Sequence, residues 1–253
     1  MGEGAAAAPL VSVTRLTKVF RNGVTALQDL DLAIEPGAFL SILGPSGCGK
    51  STLLRVIAGL TPPSSGEIAW RGGGVGRRSF VFQEPTLMPW ATVWDNVYLP
   101  LRLTGMAKSA ASERIAATLA AMGLEGFAQV YPRELSGGMK MRVSIARALV
   151  TEPELLLLDE PFAALDEITR FRLNEDLLYL WQRHHWTVVF VTHSVFESVF
   201  LSNRIVVMTK RPGRVAADVP IALSYPREGA LRTAPAYADD CRRLSHILAE
   251  ASA

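Results

Sequence analysis

The sequence predicts an α/β domain with a mainly parallel central sheet around a phosphate-binding loop, antiparallel strands at its N-terminal side and a helical insert. Three observations predict it. A glycine-rich turn, Gly44-Pro45-Ser46-Gly47-Cys48-Gly49-Lys50-Ser51-Thr52, joins the apolar run Phe39–Leu43 to a second one, Leu53–Ala58, the strand–loop–helix order that anion binding needs. Two more apolar runs, Leu155–Leu158 and Trp186–Thr192, read as strands buried on both faces, and each ends on polar residues. Between the loop and these runs, the stretch from Pro85 to Arg133 is broken by Pro85, Pro89 and Pro100 and then carries Ile115, Leu119 and Met122 at helical spacing.

Composition bounds the rest. A chain of 253 residues suits one large α/β domain or two small ones, and 49% hydrophobic residues suffice for a sizeable core. A net charge of +2 leaves no electrostatic footprint for nucleic acid. The two cysteines, Cys48 and Cys241, make neither a metal-ligand spacing nor a disulfide framework, which fits a reducing compartment. No apolar run reaches the roughly 20 residues of a membrane span. Residues 1–9 lack a basic region and a long apolar core, so a disordered tail is expected there and not a secretion signal.

Taken in order, Leu10 to Phe20 alternates apolar and polar residues, Asn22-Gly23 signals a hairpin, and Val24 to Ile34 resumes the alternation. Phe20, a lone aromatic beside that turn, suits surface packing as well as ligand stacking. In the glycine-rich loop, backbone N–H groups can close round an anion and the following helix points its positive end at it. Lys50 then supplies a point charge for β- and γ-phosphates, and the Ser51 hydroxyl a ligand for Mg²⁺. The bare pattern should arise by chance about once per hundred chains of this size, so a turn that binds nothing is the weaker reading. Glu67–Trp70 is a short strand, 71–76 a hairpin tip, and Ser79–Phe82 a buried strand that delivers Gln83 at its end, either as a ligand to metal or water or as a plain loop amide.

The apolar, Trp-rich stretch 87–94 is either core of the helical insert or an exposed patch for a partner. A helix is expected from Ser109 to Met122. Leu135-Ser136-Gly137-Gly138-Met139 opens a further helix, where Ser-Gly-Gly is either a second anion nest or an ordinary N-cap. Asp159 and Glu160 follow Leu155–Leu158; paired carboxylates at the tip of a buried strand are costly unless used. Asp159 fits an Mg²⁺ shell, and Glu160 can deprotonate a water aimed at a γ-phosphate. Asp166 enters an amphipathic helix. His193 ends the next buried strand and, with the loop and carboxylates already in place, suits a γ-phosphate sensor. The basic turn 210–214 reads as a solvated hairpin leading into a short tail, with a last helix near 238–249.

Across nearly the whole chain these pieces resemble the nucleotide-binding subunit of ABC transporters. Gly44–Thr52 is similar to the Walker A motif, Gln83 to the Q-loop and Leu135–Met139 to the LSGGQ signature with Met in last place. Leu155–Glu160 is similar to Walker B, Ala164–Asp166 to the D-loop and His193 to the switch histidine, and Phe20 falls where the family usually stacks a Tyr on adenine. The resemblance implies a single ABC ATPase domain over 10–253. It has a P-loop NTPase core (10–84 and 140–209, including the antiparallel part), a helical subdomain (85–139) and a short extension (210–253). It implies that Phe20, Gln83 and every residue from Gly44 to Thr52 bind nucleotide, and that Lys50, Glu160 and His193 serve catalysis. Mg²⁺ would be held by Ser51, Gln83 and, through water, Asp159.

It further implies a head-to-tail homodimer in which Ser136, Gly137, Gly138 and Met139 complete the partner's ATP site and Asp166 communicates between subunits. Permease subunits would contact roughly residues 84–100 at the cytoplasmic face of the inner (plasma) membrane, with a periplasmic or extracellular solute-binding protein and no nucleic acid. Residues 188–193, 211–214 and 225–227 resemble the nitrate/sulfonate/taurine importer branch, which also holds pyrimidine (thiamine-precursor) and riboflavin-type importers. An exporter or lipid-transport ATPase, or a soluble nucleic-acid-associated relative, is the alternative.

Overall fold

The computed structural model describes residues 8–73 and 76–252, so the tail expected over 1–9 lies largely outside the described residues. Strands β1 (Val11–Val19) and β2 (Thr25–Ile34) form the expected antiparallel hairpin, and β4 (Ser65–Trp70) pairs with the other edge of β1. The larger sheet contains β3 (Phe39–Leu43), β5 (Arg78–Val81), β6 (Leu155–Asp159), β7 (Thr187–Thr192), β8 (Arg204–Met208) and β9 (Val215–Pro220). Its order is β5-β6-β7-β3-β8-β9, parallel from β5 to β8 and antiparallel at β9.

Seven α-helices accompany the sheets among the described residues: α1 (Lys50–Ile57), α2 (Val93–Leu103), α3 (Lys108–Ala121), α4 (Gly137–Leu149), α5 (Glu167–His184), α6 (Val195–Leu201) and α7 (Pro235–Ser252). Successive residues of the parallel strands face opposite sides, as the two-residue period requires. Phe39, Leu156, Leu158, Val188, Phe190, Ile205 and Val207 pack into a core shared with α2 to α6. Leu40, Ile42, Leu155, Leu157, Val189, Val191 and Val206 pack into a second core with β1, β2 and α1. Burial on both faces explains why these strands read as continuous apolar runs.

Three expectations are corrected. The segment 71–76 is no hairpin tip: β4 pairs with β1 and β5 with β6, so the chain crosses from one sheet to the other there, and residues 74–75 lie outside the described residues. Helix α2 runs through Pro100, because Thr92 caps it by accepting the Asp95 N–H and Val93, Val97 and Leu101 bury one face at four-residue spacing. The chain after residue 214 is not only a tail: β9 adds an edge strand whose alanines gave little β signal. Among the described residues no helix is long and apolar enough to cross a membrane.

Candidate nucleotide site

Because β5, β6, β7, β3 and β8 are parallel, the segments that follow them emerge at one edge of the sheet, where α/β folds place their ligands. The glycine-rich loop follows β3, Glu160 follows β6, His193 follows β7 and Arg211 follows β8. A cavity of about 330 Å³ opens there. Gly47, Gly49, Lys50, Ser51 and Thr52 form one wall, Phe20, Asn22 and Val24 another, and Glu160 and Arg211 also line it.

The loop geometry follows from its glycines. Gly49 caps α1 at φ 114°, a backbone only glycine adopts without strain, and a Cβ there would lie 2.7 Å from the Ala26 carbonyl oxygen. Lys50 opens the helix, so the unpaired N–H groups of its first turn face the loop. The Lys50 side chain is 4% exposed, and its ammonium donates to the carbonyls of Gly44 (2.9 Å) and Pro45 (3.1 Å). Cys48 is buried beneath the loop, and burial pushes its thiol above the usual range, so it fills space as a neutral group.

Ser51 on α1 donates its hydroxyl to Asp159 Oδ1 at 2.6 Å, joining the loop to the end of β6. Burial raises the Asp159 carboxyl above its usual range, against the pull of the Ser51 hydrogen bond and of Arg55. A hydroxyl and a carboxylate in contact are an all-oxygen donor set suited to a hard divalent cation. Glu160 adopts φ 45°, a left-handed conformation that costs a non-glycine residue about 1–2 kcal/mol and tends to be retained at functional sites. The kink leaves Oε1 3.5 Å from Lys50 Nζ and Oε2 3.0 Å from His193 Nδ1.

The loop that carries His193 is fixed on both sides. The Thr192 hydroxyl donates to Glu197 Oε2 at 2.5 Å and accepts the Ser194 N–H at 3.0 Å, and Ser194 caps α6 by accepting the Glu197 N–H. Burial raises the Glu197 carboxyl above its usual range, with the Thr192 hydrogen bond opposing.

Not every expected residue reaches the cavity. Gln83 is exposed just past the end of β5 and does not line it. Ser136 caps α4 by accepting the Met139 N–H at 3.3 Å, and none of Ser136 to Met139 lies on the cavity wall. Asp166 caps α5 by accepting the Thr169 N–H at 3.0 Å, and that hydrogen bond holds its carboxyl below the usual range. Phe20 is on the wall with 41% of its surface exposed. The Trp-rich stretch divides: Trp94 packs on Tyr98 beneath the Lys108 ammonium, whereas Trp90 is 76% exposed. Buried Asn96 holds this bend by donating to the carbonyls of Met88, Ala91 and Thr92 and accepting the Met88 N–H. Asn22, Val24 and Arg211 line the cavity although sequence reasoning passes over them; for Arg211 the usable signal is its place after the β8 run.

A glycine-rich loop at the carboxyl edge of a parallel sheet, beside a carboxylate-tipped strand, defines a P-loop nucleotide-hydrolysing domain. The chain matches the ABC transporter family over residues 27–163 and belongs to it, as an ATP-binding domain with ATPase activity. It is 46% identical to an uncharacterised ABC transporter ATP-binding protein of Methanocaldococcus jannaschii, over 94% of this chain and 91% of that protein. It is 44% identical to the aliphatic sulfonates import ATP-binding protein SsuB of Bacillus licheniformis, over 87% of each. Among solved structures it resembles the dimeric post-hydrolysis state of the ATP-binding cassette MJ0796 bound to ADP and Pi, with a TM-score of 0.75, 33% identity and coverage of 85% of this chain and 100% of that one.

Proposed function

We propose that this chain is the ATP-hydrolysing subunit of an importer for small sulfonate-type solutes, working as a head-to-tail homodimer at the cytoplasmic face of a membrane permease. The observation that carries the catalytic part is the position of Glu160, on the cavity wall between the Lys50 ammonium and the His193 ring. In this reading the loop N–H groups and Lys50 hold the β- and γ-phosphates, and Phe20 stacks on the base. Glu160 accepts a proton from the attacking water as the water oxygen bonds to the γ-phosphorus; the bond from that phosphorus to the bridging oxygen breaks, its electron pair stays on ADP, and inorganic phosphate is released. His193 orients the γ-phosphate and, through its contact with Glu160, the base. Ser51 and Asp159, with Gln83 after a shift of its loop, are the residues that would hold Mg²⁺. When bound, that ion neutralises phosphate charge.

The dimer assignment rests on an incomplete site. Ser136 caps α4 and Gly137 to Met139 begin it, off the cavity wall, so these signature residues are available to the nucleotide of a second copy. The solved neighbour is dimeric, which supports a dimer for this chain too. Exposed Trp90 supports permease docking through the 84–100 segment, and the import names of the sulfonate relatives support uptake. A periplasmic or extracellular solute-binding protein is part of the same proposal. The net charge of +2 argues for no nucleic-acid partner. The test is ATPase stimulation of the reconstituted transporter across alkanesulfonates, taurine, nitrate, pyrimidines and flavins. Stimulation by alkanesulfonates or by taurine, itself a sulfonate, is expected; stimulation by nitrate, pyrimidines or flavins alone overturns the solute assignment.

A further inference from the structure

We infer that Arg211 is a nucleotide-contact residue, its guanidinium recognising the α- and β-phosphates on the face of the nucleotide away from α1; this rests on the nucleotide site proposed above. Arg211 lines the same cavity as Lys50 and Ser51. Its Nε and Nη2 donate to the Gly47 carbonyl at 3.1 and 2.8 Å, which uses two of the five N–H donors of a guanidinium. The remaining donors form a planar fork of the kind that matches phosphate oxygens.

The turn that carries Arg211 is held against the loop rather than free in solvent. The Gly213 N–H donates to the Ala26 carbonyl at 2.9 Å, and its own carbonyl accepts the Gln28 N–H at 3.1 Å. A Cβ on Gly213 would come within 2.3 Å of the Cys48 carbonyl oxygen, so the approach of turn to loop requires glycine. The γ-phosphate end of the cavity is marked by Glu160, 3.5 Å from the Lys50 ammonium that the Gly44 and Pro45 carbonyls hold. Gly47 follows Gly44 and Pro45 in the loop, and Arg211, bonded to its carbonyl, is assigned on that order to the inner phosphates. It therefore contributes to ADP and ATP binding alike.

The experiment is equilibrium binding of ATP and ADP to the full chain, by competition with a fluorescent ATP analogue, at low and high salt, for the wild type, Arg211→Gln and Arg211→Lys. A hydrogen-bonded charge pair corresponds to a loss of roughly ten-fold or more in affinity. Arg211→Gln is expected to weaken both nucleotides by that factor and to flatten the salt dependence of ADP binding; Arg211→Lys should restore the salt dependence and part of the affinity. Unchanged ADP affinity in Arg211→Gln overturns the inference. So does weaker binding with an unaltered salt dependence, the signature of a residue that only braces Gly47. Absence of saturable ATP or ADP binding in the wild type would instead overturn the nucleotide site itself.

Discussion

Glu160 and His193, 33 residues apart in sequence, meet at 3.0 Å between Oε2 and Nδ1. The other oxygen of the same carboxylate faces Lys50 at 3.5 Å. One carboxylate therefore touches both the loop cation and the imidazole at the end of the neighbouring strand. Replacing it by an amide keeps the shape and removes the proton acceptor. Glu160→Gln is expected to lower phosphate release by at least about 100-fold, the usual scale of a general base. ATP-dependent dimer formation should survive, as read by size-exclusion chromatography with ATP. A variant that turns over at the wild-type rate removes Glu160 as the base.

The two tryptophans of the 87–94 stretch should separate in their effects. Trp94 packs on Tyr98 with ring centroids 5.1 Å apart and carries Lys108 above its ring. Trp94→Ala is expected to destabilise the isolated protein by about 2 kcal/mol, less than for a fully buried ring. Trp90→Ala should stay within about 0.5 kcal/mol of wild type in urea denaturation while reducing co-purification with the permease. A Trp90→Ala variant that assembles normally would move the docking surface elsewhere.

Glu197 gives a pH-dependent signature. Its carboxyl is raised by burial, so folding favours the protonated form, and ionisation imposes a stability penalty. That penalty is complete above the folded pKa and disappears below the unfolded one. Glu197→Gln resembles the protonated form and keeps an oxygen for the Thr192 hydroxyl. Its melting temperature is expected to exceed that of wild type at pH 8, with the difference shrinking as the pH falls through the carboxylate range. Glu197→Ala, which leaves the Thr192 hydroxyl without its acceptor, should instead lose about 1–3 kcal/mol. A Glu197→Gln difference that is constant from pH 8 to 4 would contradict the burial argument.

Arg227 is 4% exposed and donates to the carbonyls of Val199, Phe200, Ser202 and Leu223 while lying 4.0 Å from the centre of the Tyr225 ring. It closes the C-terminal end of α6 and ties the segment after β9 to it. Arg227→Ala leaves those carbonyls without donors and should cost about 3 kcal/mol in urea denaturation. It should also expose the segment before α7 to limited proteolysis. Stability within 0.5 kcal/mol of wild type, on the order of a surface change, would show that water replaces the guanidinium.

The site was legible where chemistry is local. The Gly44–Thr52 loop declares itself because glycines at positive φ, an apolar strand before and a helix after are all adjacent in sequence. Asp159 and Glu160 stand out because a carboxylate pair directly after four buried leucines is physically odd. Helix α2 was hidden by Pro100, whose disruption is outweighed by the Thr92 cap and the buried Val93, Val97 and Leu101. The basic turn at 210–214 looked like solvated surface, since nothing in its own residues shows that Gly213 packs against the loop carrying Cys48.

The sequence by itself determined the anion-binding loop, the carboxylate-tipped strand, the buried parallel strands and the kinship they carry, because each rests on neighbours within about ten residues. Only the tertiary structure decided that His193 touches Glu160, that Arg211 and Phe20 share one cavity, that Trp90 faces outward while Trp94 packs inward, and that the Ser136 cap stands apart from the loop. The physical reason is the strand order β5-β6-β7-β3-β8. Parallel pairing brings together the ends of segments separated by whole crossover helices, and no local pattern records which strand lies beside which.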